Sequence, residues 1–207
     1  MSPLETLGFA LGTSFASGLN LYATVAAAGL FQRFGLIHLP DQLQILASPL
    51  VIGLAVALFV VEFVADKIPY VDSVWDAVHT FIRPPAAALI SYSAFAGGVP
   101  EEWRVGAALL AGSVALTSHS AKATTRAAAN VSPEPISNWA LSSVEDVFAV
   151  SLTWLAASHP VITACLVALL VVLAILLIWR LARFFRQAFA RLGRRPSGAE
   201  AASRAEP

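Results

Sequence analysis

Six apolar stretches organise this chain, and its few charges fall at their ends or along single stripes within them. Leu4 to Phe31, Ile45 to about Val64, Ile136 to Ala157 and Val161 to Trp179 each match the ~20 helical residues that a hydrocarbon core of ~30 Å requires. A further run starts at Val105, passes Thr117 and continues as a longer helix towards Asn130, while Ala86 to Val99 is short and reads as either a span or a re-entrant segment. The pattern predicts an all-α, polytopic membrane bundle of about six transmembrane helices.

The first stretch is rich in small and polar residues: Gly8 and Gly12 stand four apart, and Ser14, Ser17, Gly18 and Asn20 follow. Small residues let helix backbones approach closely in a membrane. Ser17-Gly18-Leu19-Asn20 also fits a helix broken at a binding site, as in secondary transporters, and both readings stay open.

Charge is densest directly after the second stretch. Between Val60 and Pro84 lie Glu62, Asp66, Lys67, Tyr70, Asp72, Asp76, His79 and Arg83. Ionisable groups at membrane depth are rare and mark functional positions by default. Glu62 and Asp66, four apart, share a helix face. Lys67-Ile68-Pro69 ends that helix, because the residue before a proline is pushed out of helical geometry. A short helix is then expected over Asp72 to Arg83. At about 100° per residue its Asp72, Asp76, His79 and Arg83 fall within roughly 60° of one another. That stripe belongs either to an amphipathic helix lying at the interface or to a vestibule leading to Glu62 and Asp66, and Pro84-Pro85 breaks the chain again.

Opposite charges follow. His119, Lys122, Arg126 and Asn130 fall within about 80° on the fourth span and are the natural partners of the acidic groups. The fifth, after a loop with Pro133 and Pro135, carries Asn138, Ser142, Ser143, Glu145 and Asp146, and at least one of its adjacent carboxyls should face the bundle. His38 reads as a solvated loop residue.

Composition fits this picture. The chain is 57% hydrophobic and 13% charged, with a mean hydropathy of +0.73, where a soluble domain carries about 25% charged residues. Seven of its thirteen basic residues lie in the last 28 positions. Up to Trp179, six basic residues face eleven acidic ones, so nucleic acid is not an expected partner. Residues 180–195 form a basic amphipathic extension suited to anionic headgroups, and 196–207 read as a disordered tail; 1–179 form the membrane domain. With no Lys or Arg ahead of the first apolar run, the N-terminus reads as retained rather than cleaved. Cys165 has no partner for a disulfide and reads as a small core residue. The distribution of Lys and Arg puts both termini in the cytoplasm of a multi-pass inner-membrane protein.

At a shift of one hundred residues Gly12, Ala23, Thr24, Ala27 and Ala28 meet Gly112, Ala123, Thr124, Ala127 and Ala128, and Asn20 meets Ser120. Three spans per half, over 4–99 and 103–179, would make an inverted repeat of the kind that builds midplane sites in transporters.

The order Gly18-Leu19-Asn20, Glu62, Asp66-Lys67-Ile68-Pro69, Asp72, Trp75-Asp76, His79, Arg83-Pro84, Asn138 and Glu145-Asp146 resembles the bacterial integral membrane proteins grouped as domain-of-unknown-function family 4126. The likeness runs from about Leu4 to Trp179 and implies a small multi-span inner-membrane protein, with no activity to carry over.

The leading functional expectation is a small transporter or channel in which Glu62, Asp66, Asp72, Asp76, Glu145, Asp146 and Asn20 bind or relay a cation or proton. In it Lys67, Arg83, Lys122 and Arg126 serve as counter-ions and His79 and His119 as proton carriers. Two alternatives stand beside it: capture of an anionic lipid or isoprenoid phosphate by Arg83, Lys122 and Arg126, and a non-transporting scaffold held in register by buried pairs. The partners are the bilayer and an unidentified small ion or molecule, for a single copy or a homo-oligomer. No motif for a cofactor, a zinc protease or a nucleophilic hydrolase is present, so no enzyme and no cofactor is expected; whether a metal binds is open.

Overall fold

The computed structural model describes residues 1–68, 70–130 and 135–192; of the loop expected over 131–135, residues 131–134 lie outside the described residues, as does the expected disordered tail, and Pro135 opens a helix instead. Every regular element among them is helical: α1 (Pro3–Leu19), α2 (Leu21–Arg33), a 3₁₀ helix (Asp41–Ala47), α3 (Pro49–Ala65), α4 (Val71–His79), α5 (Arg83–Ala94), α6 (Glu101–Ala129), α7 (Pro135–Ser158) and α8 (Pro160–Leu192).

Prolines set most of the starts. Ser2 closes a capping box over α1 with Pro3 in the first turn, and Ser48 caps α3 ahead of Pro49, positions where a missing N–H costs nothing. The same logic corrects the expectation for 72–83. Inside one continuous helix Pro84 and Pro85 would lose two hydrogen bonds and clash with preceding carbonyls. The chain therefore ends α4 at His79 and restarts at Arg83, with both prolines in the first turn of α5. Arg83 thus begins a new helix rather than completing the α4 stripe. In the same way the second span begins at Pro49, after a 3₁₀ helix that takes in Ile45.

α1 is the central element, packed on α5, α6, α7 and α8. Its small residues make this possible. A Cβ at Gly8 would overlap the Pro160 carbonyl, one at Gly12 would press on Ala156 and Thr163, and one at Gly18 would overlap Ser118 and the Ala115 carbonyl. The core around it is built from Ala16, Ala149, Leu152 and Val167 with Phe15 and Val114.

Polarity is inverted relative to a water-soluble protein. Arg83, Arg126 and Glu62 are fully buried, whereas Leu50, Leu54, Val60, Leu169, Val172 and Leu173 are exposed, the arrangement a bilayer favours. Among the described residues two helical segments, Asn138–Ser158 and Pro160–Gln187, are long and apolar enough to cross a membrane; the 3₁₀ helix with α3 makes a third if counted as one, bent by 65°. The six expected spans are therefore met only in part: α1 and α2 have 17 and 13 residues and part at Asn20, and α5 has 12. Cys165 is exposed rather than in the core, because α8 turns Thr163, Val167 and Ala174 to the bundle instead.

Candidate functional site

The site begins where the first stretch breaks. Asn20 is extended (φ −149°, ψ 103°) and terminates α1 while capping α2. Its side-chain oxygen accepts from the Ala23 N–H at 2.9 Å, the hydrogen that a continuous helix would give to the Leu19 carbonyl. The carbonyls at the end of α1, the negative pole of its dipole, are left for other donors. Arg83 Nη1 donates to the Gly18 carbonyl at 2.9 Å, and Lys122 Nζ donates to the Leu19 carbonyl at 2.9 Å. Close packing at the glycines and a helix break at Asn20 therefore occur together in this stretch.

Around that break three buried cations are laced to four carboxylates. Arg83 Nη2 lies 2.7 Å from Glu62 Oε1. Lys122 Nζ lies 2.8 Å from Asp66 Oδ2 and 3.5 Å from Glu62 Oε1. Arg126 Nη2 reaches Asp66 Oδ2 at 3.0 Å and Glu145 Oε2 at 2.6 Å. Asp72, the fourth, lies 3.8 Å from Arg126 Nη1. Its oxygens accept from Asn130 Nδ2 at 3.0 and 3.1 Å and from the Ser73 N–H at 2.7 Å.

The α4 stripe of Asp72, Asp76 and His79 is buried against the bundle, and the apolar residues Val74 and Val78 face out. His79 Nδ1 is 2.8 Å from the Trp75 carbonyl; a carbonyl only accepts, so this nitrogen carries the hydrogen. Its Nε2 faces the Tyr22 hydroxyl at 3.1 Å, and its ring stacks on Trp75 with centroids 4.5 Å apart. Since Tyr22 is half-buried, this pair links the interior to the periphery.

Two carboxyls are held loosely. Asp76 is buried, neither of its oxygens has a hydrogen-bond partner, and its nearest cation is Arg83 at 3.7 Å. α4 has nine residues and is too short to cross a membrane. Burial there pushes the Asp76 carboxyl up to about 6, against the opposing pull of Lys122 and Arg83. Asp146 accepts from Asn20 Nδ2 at 2.8 Å through Oδ1, while its buried Oδ2 has no partner. Lys67, the fourth cation, donates to Ser142 Oγ and to the Phe63 carbonyl, each at 3.3 Å.

All thirteen residues singled out in the sequence thus converge on one region: Asn20, Glu62, Asp66, Lys67, Asp72, Asp76, His79, Arg83, His119, Lys122, Arg126, Glu145 and Asp146. Glu145 stands at its edge with 13% of its side chain exposed. Tyr22 and the backbone acceptors of Gly18 and Leu19 were not in that set; the polar cluster ending at Asn20 was their only trace. Among the described residues, no three His, Cys, Asp or Glu side chains are grouped to hold a metal ion.

No curated protein and no solved structure matches the chain. A family model described as "Domain of unknown function (DUF4126)" matches residues 7–180. With that model covering most of its length, the chain belongs to the DUF4126 family.

Proposed function

We propose that this protein is a small multi-pass membrane transporter that exchanges protons, or a monovalent cation in their place, at Asp76 and Asp146. A balance of charge carries the reading. Six carboxyls (Glu62, Asp66, Asp72, Asp76, Glu145, Asp146) face four cations (Lys67, Arg83, Lys122, Arg126) in one buried network. If all were ionised, two negative charges would be left over in a low-dielectric interior, a cost that protonation or a bound cation relieves. Among the described residues Asp146 alone of the six has no cation within 4.0 Å, and Asp76 alone has neither oxygen hydrogen-bonded.

In this reading the six crossings are α1 with α2, α3, α5, α6, α7 and α8, and the site sits at the broken first crossing, as in discontinuous-helix transporters. An inverted repeat is not needed, since α6 runs unbroken through Ser120, the position matched to Asn20. Both termini and the basic end of α8 are placed on the cytoplasmic side, against anionic headgroups. Capture of a phosphate-bearing lipid is disfavoured, because Arg83, Lys122 and Arg126 are buried and already engaged by carboxylates. A pure scaffold accounts for the tight pairs but not for Asp76, whose two buried oxygens both lack a hydrogen-bond partner.

The test is reconstitution into vesicles holding a pH-sensitive dye, with a pH step imposed outside. The wild-type protein should collapse the gradient faster than empty vesicles, and Asp76→Asn and Asp146→Asn should each remove most of that rate. A folded wild-type protein that conducts no protons, with or without sodium or potassium, contradicts the proposal.

A further inference from the structure

Asn20 is wholly buried, and its backbone is engaged by the two helices it joins. Its N–H donates to the Ala16 carbonyl at 2.9 Å, and its carbonyl accepts from the Thr24 N–H at 3.1 Å and from the Thr24 hydroxyl at 2.8 Å. The side chain is fixed as well. The Ala23 N–H can only donate, so the amide atom that faces it at 2.9 Å must be the oxygen. The nitrogen therefore faces Asp146, and it donates to Oδ1 at 2.8 Å. A flip of the amide would set its oxygen against a carboxylate oxygen and its NH2 against an N–H, losing both bonds.

That geometry makes the two oxygens of Asp146 unequal. Oδ1 is committed to Asn20, whereas Oδ2 is buried without a partner. Glu62 and Asp66 of α3, Lys67 just beyond it, Lys122 of α6 and the adjoining Glu145 supply the charge around them. Among the described residues, though, the Asn20 amide is the one group that donates a hydrogen bond to Asp146. We infer that Asn20 is a positioning residue for the exchange, holding Oδ1 so that Oδ2 is the oxygen that takes and loses the proton. This rests on the reading of Asp146 as an exchangeable carboxyl. An N–H donor bonds a carboxylate more strongly than a neutral carboxyl, so the same contact favours release. The proton arrives at Oδ2 and leaves from it, the Asn20 bond persists in both states, and no helix has to move for the step.

Two substitutions separate this role from capping. Asn20→Ser keeps an N-cap oxygen for the Ala23 N–H and removes the donor to Asp146. Asn20→Asp keeps the cap and sets a second carboxyl against Oδ1, a contact two carboxyls can keep only by holding a proton between them. The readout is the infrared carbonyl stretch of protonated carboxyl groups in the purified full chain from pH 4 to 9, the Asp146 component being identified by its loss in Asp146→Asn. In Asn20→Ser that component should persist to higher pH, its midpoint raised by about one pH unit, while the Asp76 component stays in place. Asn20→Asp should carry one more protonated carboxyl than the wild type at pH 7. Adding Asp146→Asn should remove it, because the amide and the carboxylate are then paired again with their places exchanged. An unchanged or lowered midpoint in Asn20→Ser overturns the inference, as does Asn20→Asp without the extra signal. Should one variant fail to fold the other decides, and loss of both would make Asn20 a structural residue alone and equally sink the inference. Vesicle proton flux that depends on Asp146, together with an unmoved midpoint, would remove the role of Asn20 and leave the proton reading standing; a moved midpoint without flux would do the reverse.

Discussion

Arg83 donates from Nη1 to Nδ1 of His119 at 2.8 Å, and that bond fixes the state of the imidazole. A guanidinium has only donors, so Nδ1 must be the accepting, unprotonated nitrogen. Nε2 carries the hydrogen and points at the Asp76 carbonyl, 3.0 Å away, and at Thr80 Oγ1, 2.9 Å away. His119 is therefore a neutral connector between α4 and α6, not the proton carrier that its place on the basic stripe implied.

His119→Leu should cost about 1–3 kcal/mol, since it strands buried donors and acceptors on both sides. His119→Asn, whose amide oxygen can replace Nδ1, should recover part of that. Nitrogen chemical shifts of the labelled imidazole should show one neutral tautomer from pH 5 to 8.

Glu62 is gripped by Arg83 and Lys122 together, so Glu62→Gln leaves excess positive charge buried. A loss of about 3 kcal/mol in stability is expected. Adding Lys122→Met should return at least a third of it in a double-mutant cycle of thermal unfolding. A double variant no better than the sum of its parts would mean the pair is not coupled.

Asp76 gives a pH dependence of defined sign. Its folded carboxyl titrates at about 6, above the ordinary 3.8, so the protonated form favours the folded state. That contribution is full below pH 4, declines as pH rises through the window from about 4 to 6, and stays lost above it, a swing of roughly 2–3 kcal/mol. Asp76→Asn should flatten this slope and, above pH 7, melt higher than the wild type.

Gly18→Ala places a methyl group against the Ala115 carbonyl and Ser118 of α6, neither of which yields without moving a helix. Overpacking of this kind costs about 1–3 kcal/mol or more, and because the same helix end feeds carbonyls to Arg83 and Lys122, proton flux should fall with it. Gly53→Ala, with open space around it, is the matched control and should be near neutral.

How much of this was written in the chain differs from residue to residue. The four-residue spacing that put Glu62 beside Asp66, and Lys122 beside Arg126, is a helical property and could be read directly. So could the inward turn of at least one of Glu145 and Asp146, from the cost of charge in lipid. The restart of the helix at Arg83 was missed because Pro84 and Pro85 read equally as a stop and as a first turn, and only packing against α6 decides. Tyr22 and the carbonyls of Gly18 and Leu19 carry no sequence signal of their own, since their roles follow from the break at Asn20. Cys165 was misplaced because an apolar helix on the rim of a membrane bundle has no polar face to show which side is outward.

The most direct measurement is infrared difference spectroscopy of the purified protein between pH 5 and 8, reading the carbonyl stretch of protonated carboxyl groups. At pH 5 the wild type should carry such a signal, with one component, missing in Asp76→Asn, that fades as pH rises through about 6, and another that is missing in Asp146→Asn. Absence of any protonated carboxyl across that range, or a signal unchanged in both variants, would contradict the account that these two side chains hold the exchangeable charge.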